Sequence, residues 1–432
     1  MNILLLGGGG REHALAWKLA QSRLLQADGD EFYAASGNPG IAEYATCVTL
    51  DMGDHTAMAE FCRNKAIGLV VVGPEAPLVD GLGDTLRSAD VAVFGPSKAA
   101  AQLEGSKGFT KDLCERAGIP TAKYVRAMSL ADAVEALENF TPPYVLKADG
   151  LAAGKGVVIA ETRGEAHEAL TGMFSGRYGG GPEGSDAQVV IEEFLQGEEA
   201  SFFAFTDGTA ILPCGSAQDH KRVGEGDTGP NTGGMGAYSP APVLTDTLQD
   251  QVMRTIVEPT VQTLRDENMS YSGVLFAGLM LTADGPKLIE YNCRFGDPEC
   301  QVLMMRMQSD LGEAMLACAT GNLASISAIQ FTDETALTVV MAATGYPDAP
   351  RKGGAIDLGD ISTNGARIFH AGTREQDGRL VANGGRVLSV TAMGANVTEA
   401  QSAAYDAVDA IGFPDGFCRR DIGWREVARE KG

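Results

Sequence analysis

The segment EYNCRFGDPE, residues 290–299, sets Glu290, Asn292 and Arg294 at alternate positions. In an extended chain these three side chains share one face, while Tyr291 and Cys293 take the other. Two hard oxygen donors two residues apart suit magnesium, which keeps most of its shell for water and nucleotide phosphate. Arg294 beside them is placed to hold a transferring phosphoryl group or an acyl phosphate. The same residues also fit an exposed polar strand face. KADGLAAGKG, residues 147–156, puts Lys147 in an apolar strand and follows it with three glycines. A lysine on a mostly buried surface needs an anion. The loop after it can lay its backbone over phosphate, with Lys155 as a second cation. It is not a Walker A loop, because neither Ser nor Thr follows Lys155; a flexible hairpin is the alternative.

GGGGREHALAWKL, residues 7–19, follows the apolar run NILLL. A dinucleotide fingerprint needs a third glycine where helix and sheet pack closely; Gly7 and Gly9 fit the first two positions, but Glu12 occupies the third. What survives is a helix N-terminus after a Gly-rich turn, able to hold an anion, with Arg11 adding a guanidinium fork. This reads as a phosphate-monoester site, against the plainer alternative of a turn that only reverses the chain. Gly73-Pro74-Glu75, after the strand ending near Val72, forms a second wall or a Pro-directed turn. DHKRVGEGDTGPNTGGMGAYSPAP, residues 219–242, mixes cations and acids with almost no helix or strand signal. So long an irregular stretch is functional or disordered; Asp219 and Lys221 offer groups for a carboxylate and an amine. IEEFLQGEE, residues 191–199, reads as a strand running into a turn, where the backbone of Glu193 and Leu195 could pair with an adenine edge and a following acid with ribose.

The elements that position these residues alternate. NILLL, EFYAA, GLVVVG and VAVFG read as strands, with helices beginning near Glu12, Asp54 and Asp80, which implies a parallel sheet with ligands beyond its carboxyl edge. From PYVLKADG to EYN, strands joined by turns with fewer helices form a second architecture. Within it SGRYGGGPEGSD, residues 175–186, reads as an exposed loop or linker. Beyond about residue 326, ALTVVMAATGYP, RIFHAG and RVLSVTAMG are expected strands and EAQSAAYDAVDAI a helix of a small α+β unit.

A formal charge of −23 argues against a general nucleic-acid binder, since phosphate contacts need a basic surface. No apolar run approaches a membrane span and the N-terminus lacks a secretory pattern, so the expected location is the cytoplasm. Eight cysteines without a C-x-x-C pair suggest reduced, packed thiols.

GGGGREHA, GPEAPL, LEGSKGFTK, KADGLAAGKGV, IEEFLQGEEAS, QDHKRVGEGDTGPNTGGMGAYSPAP and EYNCRFGDPECQ, in this order, resemble the phosphoribosylamine-glycine ligase family of purine biosynthesis, from the first residues to about Arg420. The resemblance implies an α/β and α+β multidomain chain with an ATP-grasp fold. Residues 1–103 would be a parallel-sheet pre-grasp domain, 104–326 the grasp domain with a lid at about 124–190, and 327–432 a small C-terminal α+β domain. It implies ATP and Mg2+ or Mn2+ as cofactors and glycine and 5-phosphoribosylamine as substrates, joined through glycyl phosphate. Nucleic acid and membrane are not implied partners, and a monomer is compatible with the pattern.

Carried onto this sequence, the resemblance makes Lys107 and Lys147 nucleotide lysines, with Gly154, Lys155 and Gly156 covering phosphate. Glu192, Glu193, Phe194 and Leu195 would line the adenine cleft, and Glu199 would take the ribose. Glu290 and Asn292 would bind metal; Arg294, Lys221 and Asp219 would act at the reacting centre. Gly9, Gly10, Arg11, Glu12, Gly73, Pro74, Glu75, Asn231, Gly233, Gly234 and Arg294 would face the substrates. Departures are small: Gly8 replaces Ser or Asn of relatives, Cys300 replaces Thr of some, and the 175–186 loop has its own glycine pattern. Rival readings are another ATP-grasp ligase of purine metabolism, expected to lack the 219–242 segment in this form, and a non-catalytic nucleotide-binding relative, expected to have lost a lysine or the Glu290, Asn292, Arg294 set. A nicotinamide enzyme is disfavoured by Glu12.

Overall fold

The structure, a computed structural model, describes residues 1–151, 156–177, 187–359 and 365–432. Strands β1 (Asn2–Gly7), β2 (Phe32–Ser36), β3 (Thr46–Cys47), β4 (Ile67–Val72) and β5 (Ala92–Phe94) form a parallel sheet in the order β3-β2-β1-β4-β5. NILLL is apolar throughout because both faces of β1 are covered. Leu4 and Leu6 join one core with Val70 and Leu113; Ile3 and Leu5 join another with Ala14, Leu15 and Leu19. Helices α1 (Gly10–Leu19) and α2 (His55–Asn64) start where expected. GPEAPL is not only a turn, since Glu75 opens α3 (Glu75–Asp80), which a left-handed Gly81 separates from α4 (Leu82–Ser88).

Two further helices, α5 (Gln102–Gly105) and α6 (Lys107–Ala117), lead to an antiparallel sheet of β6 (Tyr124–Ala127), β7 (Tyr144–Ala148), β8 (Val157–Ala160) and β9 (Val189–Glu193), ordered β6-β9-β7-β8. Its helices, α7 (Leu130–Ala136) and α8 (Arg163–Phe174), pack with Leu146 and Ile191 into a separate core. Strands nevertheless outnumber helices in this region, as the sequence pattern suggests.

The largest sheet begins with β10 (Glu198–Thr206) and β11 (Ile211–Asp219). The 219–242 segment, expected to be irregular, instead supplies a small ladder of β12 (Arg222–Gly224) with β13 (Thr228–Asn231), and then β14 (Gly236–Ser239). These strands have three or four residues each and are rich in Gly, too short to show alternation. Then come β15 (Gly273–Thr282), β16 (Gly285–Asn292), β17 (Thr335–Ala343), β18 (Arg367–His370), the separate ribbon of β19 (Thr373–Gln376) and β20 (Arg379–Ala382), β21 (Arg386–Gly394) and β22 (Gly416–Phe417). The sheet order is β16-β15-β10-β11-β14-β17-β21-β18, with β22 on β17. Because β14 pairs with both β11 and β17, hydrogen bonding runs unbroken across residue 326. All eight cysteines are unpaired. Among the described residues no helix is long and apolar enough to cross a membrane.

Candidate functional site

Strand β16 ends at Asn292, and the burial of its last residues alternates: Tyr291 and Cys293 are buried, while Glu290, Asn292 and Arg294 are half-buried on the other face. The chain is extended only to Asn292; Glu299 already starts helix α9 (Glu299–Arg306). Phe295 anchors the turn between them. Its ring is buried, edge-on to Phe205 at 5.9 Å, and its carbonyl accepts from Arg11 Nη1 at 3.1 Å and Arg294 Nη1 at 3.3 Å. Arg294 also pairs with Glu75 at 3.3 Å and Glu104 at 2.8 Å. Burial disfavours the Arg294 cation, but Glu104 and Glu75 outweigh it and hold the group charged. Glu104, which the sequence reading did not single out, also accepts from the Cys293 N–H at 2.8 Å, and burial pushes its carboxyl up.

Around Glu290 stand the lysines. Lys221 Nζ lies 2.8 Å from Glu199 and 3.9 Å from Glu290. Burial pushes the Glu290 carboxyl up, but Lys221, Lys147, Lys107 and Arg294 outweigh this and keep it below its usual range. Lys107 opens α6 and donates to the Gly150 carbonyl at 2.8 Å, and burial draws its ammonium down. Asp149, also unflagged by sequence, accepts from the N–H groups of Lys107 and Gly108 and from Ser106 Oγ, so it fixes the start of α6. Lys147 finds its anion within the protein: Glu192, at 2.9 Å. Gly156 accepts from the Ala148 N–H at 2.8 Å, while Gly154 and Lys155 lie outside the described residues, as does 178–186 of the glycine loop.

The turn from β9 to β10 carries the residues expected to line an adenine cleft. Glu193 closes β9, with its N–H on the Lys123 carbonyl at 3.0 Å and its carboxylate on the Lys123 N–H at 3.0 Å. Phe194 is 40% exposed and Leu195 half-buried.

At the sheet of β1 and β4, Glu12 does what a third glycine would prevent. A Cβ on Gly7 or Gly73 would fall 2.6 or 2.2 Å from Glu12 atoms, so these glycines make room for its side chain. Its carboxylate accepts from the Gly9 N–H at 2.7 Å and from Arg11 Nε at 2.6 Å. The amide expected to be free for an anion at Gly9 is thus occupied by Glu12, and Arg11 is 8% exposed. Gly10 opens α1 against Gln301, and Pro74 precedes α3.

The remaining wall comes from the 219–242 segment. Asn231 pairs with Arg222 across the small ladder. A Cβ on left-handed Gly234 would meet Asp219 Oδ1 at 2.7 Å. Burial, reinforced by Glu299, pushes the Asp219 carboxyl well above its usual range, while Lys221 and Arg386 oppose the shift. Arg386 donates to the Gly233 carbonyl and pairs with Asp297 at 3.2 Å. Arg386, Asp297 and Glu299 were not foreseen: Arg386 acts from a sequence-distant strand, Asp297 lies on the turn beyond the extended residues, and Glu299 is buried at the start of a helix.

Glu290 and Asn292 supply hard oxygens, and Glu290 stays ionised among cations, so this face fits a divalent ion that shares its shell with nucleotide phosphate. Among the described residues no three His, Cys, Asp or Glu side chains gather as a metal site. Lysines converge from helix α6 and the antiparallel sheet of β6 to β9 on the acidic end of β16, and the match to an ATP-grasp domain model over residues 105–300 makes the chain an ATP-grasp enzyme.

Three family models match in order: the phosphoribosylglycinamide synthetase N domain at residues 1–104, its ATP-grasp (A) domain at 105–300 and its C domain at 336–425. The chain is 60% identical over 432 residues to the phosphoribosylamine–glycine ligase of Mesorhizobium japonicum, and 57% identical over 431 residues to that of Agrobacterium fabrum, covering 100% of each chain in both pairs. The crystal structure of phosphoribosylamine–glycine ligase from Thermotoga maritima superposes with a TM-score of 0.83 at 36% identity, over 98% of this chain and 100% of that one. The biotin carboxylase domain of 2-oxoglutarate carboxylase from Hydrogenobacter thermophilus, solved with MgADP and bicarbonate, shares the fold alone, with a TM-score of 0.73 at 15% identity over 96% and 91% of the chains. The chain belongs to the phosphoribosylglycinamide synthetase family.

Proposed function

We propose that this chain joins glycine to 5-phosphoribosylamine at the expense of ATP, through glycyl phosphate, giving glycinamide ribonucleotide, ADP and phosphate. One observation carries the reading: Arg294, on the turn after the Glu290–Asn292 strand end, reaches Glu75 of the parallel-sheet region at 3.3 Å. That pair supports reading the nucleotide end and the Gly-rich end as one site. Lys107 and Lys147 hold the nucleotide, with the backbone near Glu193 and Leu195 against adenine and Glu199 at the ribose. A divalent ion bound by Glu290 and Asn292 neutralises phosphate charge. Arg294 stabilises the charge that grows as the γ-phosphoryl group reaches the glycine carboxylate, and it needs no protein nucleophile to do so. Arg11, Gly10 and Glu75 face phosphoribosylamine, while Asp219, Lys221, Asn231, Gly233 and Gly234 close the opposite side. The sheet within residues 124–190 acts as a lid that keeps the acyl phosphate from water.

Glycine labelled with oxygen-18 in its carboxylate tests this. Attack on the acyl phosphate leaves one glycine oxygen on phosphorus, so the released phosphate should carry the label. Phosphate free of label, formed together with product, would exclude the intermediate.

A further inference from the structure

Lys147 does not stand alone at the nucleotide end. Glu192, 3% exposed, lies between two lysines: its Oε1 is 2.9 Å from Lys147 Nζ and its Oε2 is 3.0 Å from Lys111 Nζ. Lys111 is 2% exposed and Lys147 4%. Lys111 sits one helical turn after Lys107 on α6, so the two share a face, with Lys107 toward Glu290 and Lys111 toward the interior. Behind Glu192, Lys111 donates to Thr121 Oγ1 at 2.7 Å, and that hydroxyl donates to the Leu288 carbonyl at 2.6 Å. Lys147 donates to the next carbonyl, Ile289, at 3.1 Å. The two lysines therefore grip consecutive carbonyls of the strand that ends in Glu290 and Asn292, one directly and one through Thr121.

The charges decide what this arrangement does. Glu192 with Lys147 alone would be a neutral buried pair, leaving Lys147 no net charge for phosphate. Two lysines with one carboxylate leave one positive charge. Burial draws the Lys111 ammonium below its ordinary range, Glu192 opposes that shift without cancelling it, and Lys147 adds to it.

We propose that Lys111 is a positioning residue that offsets the charge of Glu192, so that Lys147 keeps a full positive charge for the nucleotide. The inference rests on the ligase reading above and goes beyond it, since Lys111 touches neither substrate nor metal in that reading.

The test is a charge cycle. Lys111→Met leaves a neutral Glu192–Lys147 pair. It should raise the KM for ATP and weaken ADP binding by about tenfold, the scale of one charge-assisted contact. The KM values for glycine and phosphoribosylamine should stay within about twofold. Lys111→Met combined with Glu192→Gln restores one net positive charge, and ADP binding, measured by calorimetry, should return to within about threefold of wild type. Thr121→Val, which removes the anchor but no charge, should leave the KM for ATP within about twofold.

A lower kcat in Lys111→Met with all KM values intact would overturn the proposal, as would a folded double variant that binds ADP no better than Lys111→Met. If Lys111→Met does not fold, the double variant carries the test, since it keeps the net charge of the wild-type cluster and Glu192→Gln leaves an amide oxygen to accept from Lys147. Binding within about threefold of wild type then supports the proposal, and weaker binding overturns it. Wild-type protein that binds no ADP would instead remove the ligase reading on which the inference stands.

Discussion

Arg294 is held by carboxylates from two distant stretches of chain, Glu75 and Glu104, and its guanidinium also caps the Phe295 carbonyl. Arg294→Ala should keep nucleotide binding while turnover falls by about two to three orders of magnitude, the usual loss when a preorganised electrostatic group is removed. Steady-state rates beside ADP calorimetry measure both, and parallel losses in the two would reassign Arg294 to nucleotide binding. Glu104→Gln keeps the shape but removes one of the two charges that orient Arg294. It should lower kcat by about tenfold, in line with the loss of one charged hydrogen bond, with the KM for ATP nearly unchanged. An intact kcat in that variant would mean that Glu75 alone suffices.

Among the elements, α6 matters most to the nucleotide end, because its first residue is Lys107 and its second turn carries Lys111. Ser106 caps it by accepting from the Phe109 N–H at 3.1 Å, and Asp149 takes the N–H groups of Lys107 and Gly108. A carboxylate here satisfies donors that the helix cannot, and it favours the positive end of the helix dipole. Asp149→Ala should therefore cost about 1–2 kcal/mol of stability, as other cap losses do. It should also raise the KM for ATP, since Lys107 loses its fixed origin. Denaturant unfolding with a nucleotide titration checks the pair of effects, and a stability loss without a change in KM would limit Asp149 to a structural cap.

At the scale of the molecule, three buried histidines tie the parts together. The His13 ring on α1 accepts from the His370 N–H on β18 at 2.7 Å, and His220 Nε2 accepts from the Gly423 N–H at 3.1 Å. Burial lowers His13 from 6.5 to about 3, helped by His370 and Arg367. It also lowers His370 to about 4, and His220 to about 4 with help from Arg419. In this window the unfolded chain binds protons that the folded chain refuses, so stability rises with pH. The histidine contribution is complete above pH 6.5 and is lost as pH falls toward 4. Each histidine contributes a slope of up to about 1.4 kcal/mol per pH unit. His13→Gln should flatten the dependence of unfolding free energy between pH 6.5 and 4.5 by about that amount, and an unchanged slope would show that His13 is already charged in the fold.

Sequence by itself determined four of the five strands of the first sheet, β3 being too short to read, since NILLL and GLVVVG are covered on both faces and must be apolar throughout. It also determined that Glu290, Asn292 and Arg294 share a face, because strand alternation is a local property. The seven motifs in order were enough to place the chain in its family. Tertiary structure alone decided what those residues pair with. That Glu12 fills the space left by Gly7 and Gly73 depends on two strand ends that two helices and two strands separate along the chain. The 219–242 segment becomes strand only because β14 finds β11 on one side and β17, nearly a hundred residues on, at the other. Lys147, read from sequence as a lysine in need of an anion, shares Glu192 with Lys111, and no spacing along the chain encodes that triad. Periodicity reports which way a side chain points, while the partner it meets depends on how sheets and helices pack, and that is fixed only when the whole chain has closed.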